Sequence, residues 1–197
     1  MSRVGHVIGN GDNAVMYKPS KGFKITCNIP PFEVANVYTT CLVDFKMMKA
    51  MTEGSVYIPG EWTLGYRPKV WMENNPAFHM KVAQQIKGFY LELPKYVSNY
   101  TDFNCGHMAT HYTANHLQCE EIHMYGFDSI FDFNLRSCTD MYLNSDRSLS
   151  NNNRLANNWR PVWGNLFKEF PNTEFVVHHE HSDIKIKLPK NVTVTTK

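Results

Sequence analysis

What the sequence lacks narrows its class before any motif is read. It has no long basic run, and its formal net charge is only +2. Binding to a nucleic-acid backbone draws on clustered lysine and arginine, so nucleic acid is not an expected partner. No apolar stretch approaches the ~20 residues that span a bilayer, and the polar, glycine-containing beginning does not resemble a secretion signal. The expectation is a cytoplasmic protein without a membrane span. The five cysteines (Cys27, Cys41, Cys105, Cys119 and Cys138) are odd in number and include no Cys-x-x-Cys pair. That pattern fits reduced, mostly buried thiols rather than a disulfide framework or a zinc site. A break in composition that would force two domains is also missing. The 197 residues, 43% hydrophobic and 13% aromatic, are enough for one sizeable core.

The chain opens on a short predicted strand, residues 3–8, that runs into Gly9-Asn10-Gly11-Asp12-Asn13-Ala14. A buried strand feeding a glycine turn is how an α/β sheet prepares a nucleotide site, because glycine lets the backbone approach a phosphate or ribose. The third glycine of the dinucleotide fingerprint is absent, and such a turn also serves simply to reverse the chain. A second predicted strand, residues 23–27, ends at Asn28. Enzymes using a nicotinamide cofactor or a methyl donor usually place a carboxylate there for the ribose hydroxyls, so Asn28 counts against both, and against a methyltransferase. Its amide can bond a base or ribose, and it is equally at home in a turn before Pro30-Pro31.

The remaining pattern alternates. Residues 36–43 read as a strand ending at Asp44, with a short helix over 45–51. Residues 55–58, 70–72 and 88–93 are further short strand candidates, and residues 60–68 read as a loop whose aromatics and Arg67 either line a substrate or pin the loop to the core. Cys105, Met108, Ala109 and Tyr112 repeat at helical spacing behind Asn104 and Gly106. A strand over 121–125 follows and ends at Gly126-Phe127-Asp128, which puts polar groups at the carboxyl edge of the sheet. Residues 144–158, rich in asparagine and serine, read as a flexible loop of lid length. Pro161 then suits the first turn of a last helix, residues 173–177 a last core strand, and 184–195 an edge strand. The expected architecture is a single Rossmann-like domain, a largely parallel sheet flanked by helices.

Four segments, residues 7–11, 25–28, 41–44 and 121–128, occur in the order found in bacterial sialyltransferases and the related Maf-type motility-associated glycosyltransferases. Across residues 3–130, in these short islands, the chain resembles that family. The resemblance implies a nucleotide-binding fold, a cytidine-nucleotide (CMP) sugar donor, a glycan acceptor and no obligatory metal or other cofactor. It implies that Gly9, Asn10, Gly11 and Asn28 hold the nucleotide, and that Gly106, Gly126 and Asp128 line the donor pocket. Asp44 joins this set by its place at a strand's carboxyl end. The transferred group would be a sugar such as an acidic nine-carbon sugar.

The chain also departs from the family. Asp12-Asn13 stands where members carry proline and serine, which brings a negative charge near a phosphate site. The catalytic histidine that members carry in the lid has no counterpart in residues 148–158. By chain position His178 and His179 are the candidate general bases, at the end of the last core strand, and their alternative role is that of solvated turn residues. His107 and His111 stand four apart but lack the glutamate of His-Glu-x-x-His, so a structural role is expected and no metal site. The alternative function is a non-catalytic nucleotide or nucleotide-sugar binding protein of the same fold.

Overall fold

The structure is a computed structural model describing residues 1–197. Eight strands form one sheet: β1 (Val4–Ile8), β2 (Phe23–Cys27), β3 (Thr39–Leu42), β4 (Trp62–Leu64), β5 (Ile86–Phe89), β6 (Glu121–Tyr125), β7 (Glu174–His178) and β8 (Val192–Thr195). Their order is β5-β4-β3-β2-β1-β6-β7-β8, and every neighbouring pair is parallel. Five α-helices flank the sheet: α1 (Phe45–Thr52), α2 (Tyr66–Asn74), α3 (Pro76–Val82), α4 (Cys105–Asn115) and α5 (Leu149–Glu169). The chain first winds outward from β1 to β5, then crosses back to β6 beside β1. That reversal makes β1/β6 the topological switch point of a Rossmann-like domain.

Parallel strands are covered on both faces, which is why β1 and β3 read as almost continuous buried runs. One core layer joins Val7, Ile25, Ile122, Met124 and Phe175 of the sheet to Met108, Ala109 and Tyr112 of α4 and Trp163 and Phe167 of α5. The other gathers Leu42 and Leu64 against the methionines of α1 and Met72 and Phe78 of α2 and α3. Threonines enter this interior because they pair across strands: Thr26 with Thr40, and Thr39 with Thr63, each at 2.7 Å between hydroxyl oxygens. A buried hydroxyl left alone would cost about 1–3 kcal/mol.

Several sequence-based elements are corrected. Residues 55–58 form no ladder, although Val56 and Ile58 are buried core residues. Residues 70–72 lie inside α2, the aromatic loop of 60–68 contains β4 and the start of α2, and β5 begins before residue 88. Trp62 is fully buried and donates from Nε1 to the Ile58 carbonyl at 3.1 Å, so it pins the core. The largest difference is α5. It starts at Leu149, inside the segment read as a loop, and Pro161 lies in its interior. Ser148 caps it by accepting from the Asn151 amide, and the buried stripe Asn152, Ala156, Arg160, Trp163, Phe167 recurs every three or four residues. Two of those positions are polar, which concealed the period.

Candidate functional site

The carboxyl ends of β1, β2, β3 and β6 meet over a cavity of about 350 Å³. Gly9, Asn10, Gly11, Asn28, Asp44, Gly106, Gly126 and Asp128 all line it, drawn together from five separate segments of the chain.

The turns after β1 and β6 are stitched together. Gly9 N–H donates to the Tyr125 carbonyl at 2.7 Å, and Gly11 N–H to the Gly126 carbonyl at 3.1 Å. A Cβ on Gly11 would stand 2.7 Å from both the Gly126 carbonyl oxygen and the Asp128 side chain, so these glycines permit loop to approach loop. Asn10 turns its amide the other way and donates to the carbonyls of Cys27 at 2.8 Å and Ile29 at 2.7 Å. Asn28 adopts the left-handed conformation (φ 51°), which asparagine tolerates better than most residues, and its Nδ2 donates to Asn10 Oδ1 at 3.1 Å. The pair ties the ends of β1 and β2 together. The Asn28 side-chain oxygen is left buried without a donor.

Helix α4 points its N-terminus at the same space. Asn104 Oδ1 accepts from His107 N–H at 2.9 Å, and Asn104 N–H donates to His107 Nδ1 at 3.1 Å. This reciprocal cap leaves the His107 proton on Nε2, which donates to the Trp159 carbonyl at 3.3 Å and fastens α4 to α5. His107 is wholly buried, and burial drops its pKa to about 3. His111 instead lies between the Tyr90 hydroxyl at 2.6 Å and Glu169 at 2.9 Å, so each of these histidines has a structural partner. Asn104, Cys105 and Gly106 line the cavity, and the first amides of a helix have no intrahelical acceptor, which makes them a seat for an anion.

Four cations line the cavity as well: Lys46, Arg67, Arg136 and Arg147. Arg67 pairs with Asp44 at 3.1 Å, Arg136 with Asp12 at 2.7 Å and Arg147 with Asp140 at 2.8 Å. Asp12, the negative charge that the sequence placed near the glycine turn, is therefore paired with Arg136. Asn13 is turned inward: its Nδ2 donates to Asp128 Oδ1 at 3.1 Å and its Oδ1 accepts from Glu180 N–H at 3.0 Å. Burial raises the Asp128 pKa. Trp159 and Trp163 of α5 form the facing wall, so the asparagine-rich segment contributes a helix where a loop was expected.

The candidate bases are placed differently. Neither His178 nor His179 lines the cavity. His178 belongs to a row across three parallel strands, with its Nε2 2.9 Å from His123 Nδ1 and its ring 4.3 Å from that of Tyr125. Burial, with His123 and His6 nearby, lowers its pKa to about 4. His179 is fully buried behind Asp128, with Nδ1 3.7 Å from Asp128 Oδ1. Sequence reasoning missed Lys46, on the first turn of α1, and Arg136, Ser137, Thr139 and Arg147, which reach the cavity from a segment without periodicity. The one available signal was the bunching of arginine, serine and threonine at 136–139.

Fold and cavity together define a doubly wound α/β domain with a polar cleft at its switch point, flanked by helices none of which is long and apolar enough to cross a membrane. Set against protein-family models, curated proteins and solved structures, the chain matches none.

Proposed function

We propose that this chain binds a cytidine-nucleotide sugar in the switch-point cavity and transfers the sugar to a glycan hydroxyl. The observation that carries the reading is convergence: residues singled out from separate motifs share one cavity with the N-terminus of α4 and four cations. A diphosphate-free nucleotide sugar presents one phosphate, which suits the helix terminus and its arginines. Asn28 lines the cavity with an acceptor that no protein group satisfies, and a base amino group or a ribose hydroxyl would satisfy it once the side chain turns toward the ligand.

In the transfer, the acceptor O–H bond breaks as a new C–O bond forms to the sugar. The bond from sugar carbon to phosphate oxygen breaks, and its electron pair leaves with the nucleotide. Asp128, on the cavity wall and held by Asn13, is the carboxylate placed to take the proton, in the role the sequence had given to His178 or His179. The cations and α4 stabilise the departing phosphate. The second reading, a binding protein without turnover, is favoured by one fact: no histidine lines the cavity.

Thermal melts with CMP, UMP, AMP, GMP and adenosylmethionine test the binding step. CMP is expected to stabilise most, by about 2.7 kcal/mol at one hundred times its Kd. A shift with adenosylmethionine and none with CMP would overturn the proposal. Release of CMP from a CMP-sugar across an acceptor panel tests turnover, and Asp128→Asn is expected to lower it by about 100-fold to 10,000-fold. Binding without release selects the second reading.

A further inference from the structure

The turns that follow β6 and β7 bring Asp132, His179, Glu180 and His181 together on the far side of Asp128, outside the cavity. One ligating atom from each lies within 4.8 Å of every other. The two histidines flank Glu180 in the bend that follows β7, and their rings stand at 89° with centroids 4.6 Å apart. Both Nε2 atoms face the same carboxylate oxygen: His179 Nε2 is 3.2 Å and His181 Nε2 3.0 Å from Asp132 Oδ2. Neighbouring ligands around a tetrahedral ion with bonds of about 2.0–2.1 Å stand about 3.3 Å apart, close to these separations.

His179 supplies an independent argument. Its ring is fully buried, stacked on Phe131 at 3.7 Å, and lies between two carboxylates, Asp128 on the Nδ1 side and Asp132 on the Nε2 side. A neutral imidazole carries one proton and donates to only one of them. With the proton on Nε2, the buried Nδ1 has no partner and turns its lone pair toward Asp128. With the proton on Nδ1, the Nε2 lone pair faces a carboxylate. A cation at Nε2 removes the conflict and leaves Nδ1–H on the side of Asp128 Oδ1, 3.7 Å away, where a small shift makes Asp128 the carboxylate that orients a metal-bound histidine. Arg160 does not fill this role, since it donates to the main-chain carbonyls of Ser129 and Asp132 and leaves the Asp132 carboxylate to the histidines.

We propose that Asp132, His179 and His181, with Glu180 as an exposed fourth ligand, bind a divalent transition-metal ion of the zinc class. Two imidazoles and two carboxylates suit zinc, cobalt and nickel better than the hard, all-oxygen demand of calcium or magnesium. His181 and Asp132 are more than a third exposed, which gives the ion a way in. Binding moves the His181 proton to Nδ1 and gives up the exposed hydrogen bond that Asp183 N–H donates there at 3.2 Å. The metal-binding readout does not depend on the nucleotide reading, although Asp128 stands between the two sites.

The untagged full chain, stripped with chelator and desalted, is titrated with Zn(II) by calorimetry and with Co(II) by visible absorption. One ion per chain is expected, with strong tetrahedral d–d bands for cobalt that zinc abolishes. His181→Ala and Asp132→Asn, checked for folding by circular dichroism, are expected to weaken binding at least tenfold. Asp128→Asn, which leaves the ligands intact but alters their support, is expected to weaken it about 10-fold to 100-fold. Absence of one-to-one binding overturns the proposal. So does binding that survives both His181→Ala and Asp132→Asn, which would place the ion elsewhere, with the His6, His123, His178 row the nearest alternative.

Discussion

At the scale of single residues, the legible positions were those whose backbone role and chemical role coincide. Asn28 ends a strand, takes a positive φ of 51°, lines the cavity and carries a buried side-chain oxygen without a partner, so its turn reading holds and its binding reading is open to a direct test. This gives a test with two separable readouts. Asn28→Ala should cost about 1–3 kcal/mol of CMP binding through the lost hydrogen bond, and about 1–2 kcal/mol of stability through left-handed strain. Asn28→Gly should recover much of the stability and none of the affinity. Calorimetry and urea denaturation read the two effects, and full affinity in the glycine variant removes Asn28 from the site. His178 and His179 were not legible in this way. Chain position put them at the correct edge of the sheet, but only packing reveals that one joins a histidine row and the other sits behind Asp128.

Among the elements, α4 was readable and α5 was not, for the same physical reason. The α4 stripe is apolar at helical spacing, whereas the N-terminal half of α5 buries Asn152 and Ala156 and continues through Arg160, leaving no hydrophobic period to count. Strand β4 was hidden because its three residues sit between breakers in a segment with the composition of a loop. How α4 meets the turn after β6 can be tested directly. A Cβ on Gly106 would lie 2.5 Å from Phe127 Cε1, and Phe127 packs in turn on Trp163 of α5. Gly106→Ala should therefore destabilise the fold by about 1–3 kcal/mol despite the better helix propensity of alanine. Adding Phe127→Leu should return part of that loss if the clash is the cause. Urea midpoints at constant m-value provide the comparison, and an unchanged midpoint for Gly106→Ala would mean that the helix can shift without cost.

The whole molecule has a pH dependence set by buried neutral histidines. His107 has its pKa lowered to about 3 by burial, and His6 is also lowered, chiefly by burial. The unfolded chain holds these protons near pH 6.5, so below that pH it binds more protons than the native state. Stability is fully present above pH 6.5 and falls as the pH drops toward 3, with His107 contributing up to about 1.4 kcal/mol per pH unit. Denaturation midpoints between pH 7.5 and 4 should fall, and the slope should flatten in a folded His107→Gln variant. A slope unchanged by that variant assigns the acid sensitivity to other groups. At this scale the alternation of strands and helices was visible from the sequence, because parallel strands are short, apolar and followed by turns. The strand order was not, since nothing local states where β6 returns. That return also has a consequence in time. The turns of β1 and β6 that bond each other, Gly9 to Tyr125 and Gly11 to Gly126, lie more than a hundred positions apart in the chain. Closing so long a loop costs entropy that local contacts do not, so the cleft is expected to complete late, after much of the sheet has formed, and φ-values near zero at Gly9 and Gly126 would report it. A ligand that recognises only the completed cleft has nothing to grip earlier. It lengthens the lifetime of the native state by slowing unfolding and leaves the rate of folding unchanged.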